Sequence, residues 1–253
     1  MSPTEPPQHE AEERSQSRAR HEPEPRRSDR GHQVRTLSES ESKAFLAPYG
    51  VPIAPEQVVD TPAQAAKAAA TMGFPVVAKL CGDNIAHKTE RGLVRLGLSD
   101  ATAVEAAATD LLAQARPTDG DVGVLIAPMI SGSREFIAGL STDPQFGMTI
   151  MVGIGGILAE AIADVSIRLV PITRADAAEM LDDLQTQALL AGFRGEPPVD
   201  REAMVNTLMA LNDAAIARPE LVSADLNPLI ISNGLPVAVD ALVEVALDPA
   251  KAR

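Results

Sequence analysis

From Leu37 onward the apolar positions switch between two spacings. Some segments repeat every three to four residues, and others are short β-branched runs, which together predict a mixed α/β chain. Ser38 with Glu41 reads as a capping box opening a short helix that ends near Tyr49 and Gly50. A second helix starts with Thr61 as N-cap, Pro62 at the first helical position and Gln64 three residues after the cap, and runs through alanines to Gly73. Strands are expected over Pro75 to Leu80, Leu93 to Leu98 and Val122 to Pro128, with a helix over Ala101 to Arg116. Two more strands, Arg134 to Leu140 and Met148 to Ile154, are joined through Thr142-Asp143-Pro144. Thr173 with Asp176 opens one helix and Asp200 another, and two strands close the chain around Asn233-Gly234.

The first 36 residues break this pattern. They hold five prolines, seven acidic residues and seven arginines with few apolar ones, so they cannot bury enough surface to offset their ordering entropy. We expect a disordered tail over 1–36, a folded region over 37–247 and a short C-terminal tail over 248–253. No long linker interrupts the folded region, so two lobes sharing a cleft are expected, one over about 37–128 and one over about 129–247. The tail's charges cancel, so the formal net charge of −13 belongs to the folded part.

That acidity, with no Trp, one Tyr and five Phe, argues against a nucleic-acid partner, which attracts basic and stacking surfaces. A single cysteine, Cys81, excludes an intramolecular disulfide and fits a reducing, cytoplasmic compartment. The start of the chain lacks an apolar signal core, and no run reaches membrane-spanning length, so no membrane partner is expected.

Candidate chemistry falls in three places. The Asn-Gly pair in the last hairpin sets a register that puts Asn227 opposite Asp240, an amide oxygen and a carboxylate of the kind that suits Mg²⁺, although Pro228 can introduce a bulge that shifts it. Gly153, Gly155 and Gly156 follow a strand, where backbone N–H groups can turn toward a phosphate or simply make a tight connection. Lys79 interrupts an apolar strand and therefore needs an anionic partner, for which a nucleotide phosphate would serve. His87 and Lys88 follow in a polar loop, and His87 is the one histidine beyond the tail. Arg134 and Glu135 begin a strand with side chains on opposite faces, so one of them should face a cleft. Arg168 lies in an apolar run and needs an anion, either a ligand or a nearby acid such as Asp164.

Read in order, Phe74-Pro-Val-Val-Ala-Lys79, Ile85-Ala-His-Lys-Thr89 with Gly92, Arg134-Glu135, Asp143-Pro-Gln-Phe-Gly147, Gly153-Ile-Gly-Gly156, Arg168-Leu-Val-Pro171, Gly192-Phe-Arg-Gly-Glu-Pro-Pro198 and Asp225-Leu-Asn-Pro228 resemble the ATP-grasp domain of nucleotide-diphosphate-forming acyl-CoA synthetases, including the β subunit of ADP-forming acetate-CoA ligase. The resemblance spans about 37–247. It implies a two-lobed ATP-grasp fold holding ATP or ADP and Mg²⁺ between its lobes, and the overall reaction acyl-CoA + ADP + phosphate ⇌ acid + CoA + ATP. It further implies a hetero-oligomer with a CoA-binding α subunit that carries its own phosphorylated histidine. His87 matches a histidine proposed to carry the phosphoryl group in transit. Lys79, Lys88, Arg134, Glu135, Gly153, Gly155, Gly156 and Arg168 are the implied nucleotide-site residues, and Asn227 with Asp240 the metal pair.

Three positions depart from the family pattern: Leu93 where a second glycine is usual, Ser223 where an acid is usual and Leu242 where a base is usual. A non-catalytic nucleotide-binding module regulating a CoA-ligase or acyltransferase partner is the alternative these departures suggest. A carboxylate-amine ligase, which needs no histidine, is the third.

Overall fold

The computed structural model describes residues 34–85, 88, 91–156, 163–192 and 195–247. The expected tail over 1–36 and the C-terminal tail therefore lie outside the described residues, except for Val34–Thr36. Those three form a strand, β1, paired with residues 244–246, so strand pairing begins before Leu37.

Two antiparallel sheets carry the molecule. The smaller consists of β2 (Gln57–Val59), β5 (Val122–Pro128), β3 (Val76–Gly82) and β4 (Val94–Leu98) in that spatial order. Helices α2 (Pro62–Met72) and α3 (Ala101–Ala113) pack on it around Ala65, Leu80, Val104 and Ile126. Every residue of β3 is buried, because it lies between β5 and β4 with helices on one side. The α2 start follows the expected chemistry: Thr61 accepts from the Gln64 amide, and Pro62 occupies the first turn, where its missing N–H has no cost.

The larger sheet has seven strands. Its order is β1, β11 (Leu242–Ala246), β9 (Leu221–Ser232), β6 (Glu135–Asp143), β7 (Gly147–Ile154), β8 (Val165–Leu169), with β10 (Leu235–Ala238) also on β9. Helices α1 (Glu39–Leu46), α4 (Arg174–Asp182) and α5 (Arg201–Ala217) cover one face, where Leu46, Phe136, Ile150, Met180, Leu208 and Leu229 share a core. The Ser38–Glu41 capping box is present at α1 and a Thr173–Asp176 box at α4. Leu37, Leu46 and Val51 belong to this core, so residues 37–53, expected in the first lobe, pack with the larger sheet.

The opposite face of the larger sheet is open, with Val165, Ile167, Leu169, Ser141, Asp225 and Asn227 exposed. Registers place Leu242, Asp225, Gly139, Met151 and Ile167 in one row across this face. Two carboxamide or carboxylate side chains thus stand at one end of an apolar floor. The strands β1, β2, β8 and β11 were not anticipated, since β1 and β2 have three residues each, too few to display an alternation.

Candidate functional site

The last hairpin keeps the register that its Asn233-Gly234 turn dictates. Leu235 to Ala238 pair with Ser232 to Leu229, and beyond a short interruption Leu242, Val243 and Glu244 pair with Asp225, Ala224 and Ser223 in the same register. Asn227 and Asp240 sit at matching positions within the interruption, next to the Val239 N–H that donates to the Pro228 carbonyl at 3.2 Å. A one-residue shift does occur beside Pro228, but against β6, between Phe136 and Ala138; the hairpin keeps its register across the interruption as far as Glu244 and shifts only between Glu244 and Val245.

Asp225, two residues before Asn227, joins them. Desolvation, then repulsion from Asp240, pushes the Asp225 carboxyl above its usual range, while the Asn227 side chain hydrogen-bonded to it acts the other way. Asp240 is pushed up by burial and by Glu39, against the pull of Lys79, Lys88 and Lys43. No group of three or more His, Cys, Asp or Glu suited to a metal exists among the described residues. The set is two mutually repelling carboxylates and an amide oxygen. Such hard donors fit Mg²⁺, which takes one or two protein ligands and fills its octahedron with water and phosphate oxygens.

Lysines converge on the same corner from the smaller sheet. Lys79, on β3, donates to Glu39 Oε1 at 2.7 Å and to the Val239 carbonyl at 2.8 Å. Lys88 is buried, 2.7 Å from Glu39 Oε2 and 3.7 Å from Asp240 Oδ1. Burial alone would lower the Lys88 ammonium, but Glu39 and Asp240 raise it above its usual range, so it is a firmly held cation. His87 lies outside the described residues. The loop's other end is fixed by Arg91, whose guanidinium makes two bonds, 2.8 and 2.9 Å, to the buried Asp119 carboxylate.

The ATP-grasp domain family matches residues 29–245. This chain belongs to the ATP-grasp family. It is 37% identical over 210 residues to the β subunit of acetate–CoA ligase (ADP-forming) I from Pyrococcus furiosus, a match covering 82% of this chain and 90% of that one. Among solved structures, PH1788 from Pyrococcus horikoshii superposes with a TM-score of 0.79 at 34% identity, covering 85% of this chain and 93% of that one. Acetyl-coenzyme A synthetase 1 from Ca. Korarchaeum cryptofilum, solved with coenzyme A and Mg-AMPPCP and its phosphohistidine segment pointing towards the nucleotide binding site, gives 0.72 at 32% identity, covering 83% and 93%.

Several residues that the ATP-grasp resemblance assigned to the nucleotide are otherwise engaged. Arg134 is buried, its guanidinium bonded to Glu196 and to the carbonyls of Leu189, Ala191 and Pro197. It clamps the segment before α5 to the sheet and has no face toward the open side. Arg168 points to the helix-covered face and pairs with Asp183 at 2.5 Å, whereas Asp164, the acid expected for it, accepts from the Gln185 and Thr186 amides. Gly153 lies within β7, where a Cβ would come 2.6 Å from Val165 Cγ1. The Gly155 N–H already donates to the Glu135 carbonyl at 2.8 Å, and a Cβ there would meet the Phe136 backbone at 3.0 Å. These two glycines serve strand packing. Gly156, at φ +76°, follows the end of β7, with Glu135 Oε2 3.2 Å from where its Cβ would be. Of the pair 134/135, Glu135 is therefore the outward member.

Sequence reasoning missed Glu39 and left Asp225 out of the candidate site. Glu39 looks like an ordinary first-turn acid, and only the fold reveals three lysines around it. Glu244 was missed as well: it accepts from Ser223 at 2.7 Å, so a carboxylate stands beside the position where the usual acid is replaced by serine.

Proposed function

We propose that this chain is the nucleotide-binding β subunit of an ADP-forming acid–CoA ligase, exchanging a phosphoryl group between nucleotide and histidine during acyl-CoA + ADP + phosphate ⇌ acid + CoA + ATP. The observation that carries the reading is the convergence of Asp225, Asn227, Asp240 and Lys88 at the interruption of the last hairpin, on the open face of the larger sheet. Relatives named as ligase β subunits and a neighbour solved with Mg-AMPPCP support it.

In this reading Asp240 and Asn227, with Asp225 beside them, would hold Mg²⁺, which would supply positive charge against the nucleotide phosphates. Phosphoryl transfer requires positioning and charge stabilisation far more than covalent chemistry. Lys79 and Lys88 supply fixed positive charge, Glu135 and Gly156 stand together beside the end of β7, and the apolar row through Met151 and Ile167 offers a floor for a base. His87, the chain neighbour of the anchored Lys88, takes the γ-phosphoryl group of ATP on a ring nitrogen as the bond to the ADP oxygen breaks, and in the other direction gives it to ADP to re-form ATP. A CoA-binding α subunit with its own phosphohistidine is the partner, and a reducing cytoplasm, consistent with the buried thiol of Cys81, is the setting.

The test is to combine the chain with its cognate CoA-binding subunit, Mg²⁺ and γ-labelled ATP. Acid-labile phosphate should appear on this chain and vanish in His87→Asn, and the chain alone should show little ligase turnover. Undiminished turnover with His87→Asn would sink the relay, and robust turnover by the isolated chain would sink the split between subunits.

A further inference from the structure

Glu39 has no solvent exposure and meets three ammonium groups. Its Oε1 accepts from Lys43 at 2.8 Å and Lys79 at 2.7 Å, and its Oε2 is 2.7 Å from Lys88. The same lysines have further partners. Lys43 reaches Glu56 at 2.6 Å and the Val239 carbonyl at 3.1 Å; Lys79 reaches that carbonyl at 2.8 Å; Lys88 faces Asp240 at 3.7 Å. Lys43, Lys79 and Lys88 stand against Glu39, Glu56 and Asp240, so the cluster is formally neutral before any ligand arrives.

A role confined to stability would need only the α1 pair, Lys43 with Glu39. Instead the carboxylate extends from α1, which packs on the larger sheet, to one lysine in the middle of the smaller sheet and another on the loop beyond it. Both of those lysines also touch the 239–240 corner beside Asn227. A divalent cation at that corner would take the Asp240 carboxylate away from Lys88. Glu39 would then be the remaining charge holding Lys88.

We propose that Glu39 is a positioning residue for phosphoryl transfer: it presets the Lys79 and Lys88 ammonium groups at the Val239–Asp240 corner and keeps Lys88 there once a cation occupies Asp240. The inference rests on the function proposed above. Its advantage is preorganisation, since lysines fixed before the nucleotide arrives need no rearrangement in the transition state, whereas a displacement of about 1 Å can cost on the order of 100-fold in rate.

The test compares Glu39→Gln, Glu39→Asp and Lys43→Met in the reconstituted two-subunit complex, with turnover, Mg-ADP affinity and melting temperature read in parallel. Glu39→Gln should lower kcat by about tenfold or more while the Mg-ADP Kd changes less than about threefold, and Glu39→Asp, which keeps the charge, should recover part of the rate. Lys43→Met, which breaks the stabilising pair on the same carboxylate, should lower the melting temperature but leave kcat within about twofold. If Glu39→Gln does not fold, Glu39→Asp against Lys43→Met carries the comparison, with kcat reduced in the first alone. The inference is overturned if kcat follows melting temperature across the set, or if Glu39 variants turn over like the natural chain. A natural complex without nucleotide-dependent turnover would refute the functional reading instead.

Discussion

Arg134 and Glu135 are chain neighbours with opposite fates, because consecutive strand residues face opposite sides of a sheet. The Arg134 guanidinium spends its donors on one carboxylate and three carbonyls. Lysine cannot reproduce that planar fork, so Arg134→Lys should lower stability by about 2–4 kcal/mol, read as a reduced urea midpoint, while the folded fraction binds Mg-ADP as before. An unchanged midpoint with lost nucleotide affinity would return Arg134 to the ligand site. Asp225 makes the contrasting case. It faces Asp240 at close enough range for repulsion to matter, and a site built for a cation carries that repulsion when metal-free. Asp225 is exposed, so solvent screens part of that repulsion, and Asp225→Asn should raise the melting temperature of the metal-free protein by no more than about 2 °C while abolishing the further rise that Mg-ADP confers. Hydropathy identified Lys79 as a cation in need of an anion, yet it could not say that the anion is Glu39, 40 residues earlier in the chain. Partner choice between distant side chains is decided by topology, and a single sequence carries no local signal for it.

At the scale of elements the sequence was far more legible, and the reasons are local. The caps at Ser38, Thr61, Thr173 and Asp200 each satisfy an amide of their own helix. The Asn-Gly turn fixed the register of β9 against both β10 and β11, across the break at Pro228. Glycines were less readable, since a phosphate cradle and a crowded strand demand the same missing Cβ. The structure separates the two uses at Gly153, where an added Cβ would come within 2.6 Å of Val165 Cγ1 on the edge strand β8 and 2.9 Å of the Asp164 carbonyl oxygen. Gly153→Ala should push β8 from β7 and destabilise by about 1–3 kcal/mol, with a lowered urea midpoint and little change in nucleotide affinity of the folded protein. Lost affinity at full stability would favour the phosphate contact.

At the scale of the whole molecule, the two sheets have separate apolar cores, and Glu39 with its lysines joins residues of both parts. Lys79 on β3 of the smaller sheet donates to the Val239 carbonyl of the last hairpin as well as to Glu39 on α1, so a buried ionic cluster ties the two parts together. Burial alone would raise the Glu39 carboxyl, yet Lys79, Lys43 and Lys88 outweigh it and bring it down to about 2 from 4.5. A depressed carboxyl contributes stability that is present above about pH 4.5 and is lost as pH falls toward 2, here on the order of 3 kcal/mol. Glu56 behaves oppositely: burial holds it above the usual range despite Lys43, so its contribution is largest at low pH and fades as pH rises through its folded value. Self-repulsion from the net charge of −13 also eases as carboxylates protonate. The metal-free protein should thus gain slightly in urea midpoint from pH 7 to about 5, then lose stability steeply toward pH 2 as Glu39 takes its proton. In Glu39→Gln the neutral-pH midpoint should be lower, because three buried ammonium groups lose their shared anion, and the acid limb should be shallower by about one proton. Urea titrations of both proteins at pH 7, 5, 4 and 3 decide it, and an acid limb equally steep in the variant would show that some other carboxylate holds the two halves together.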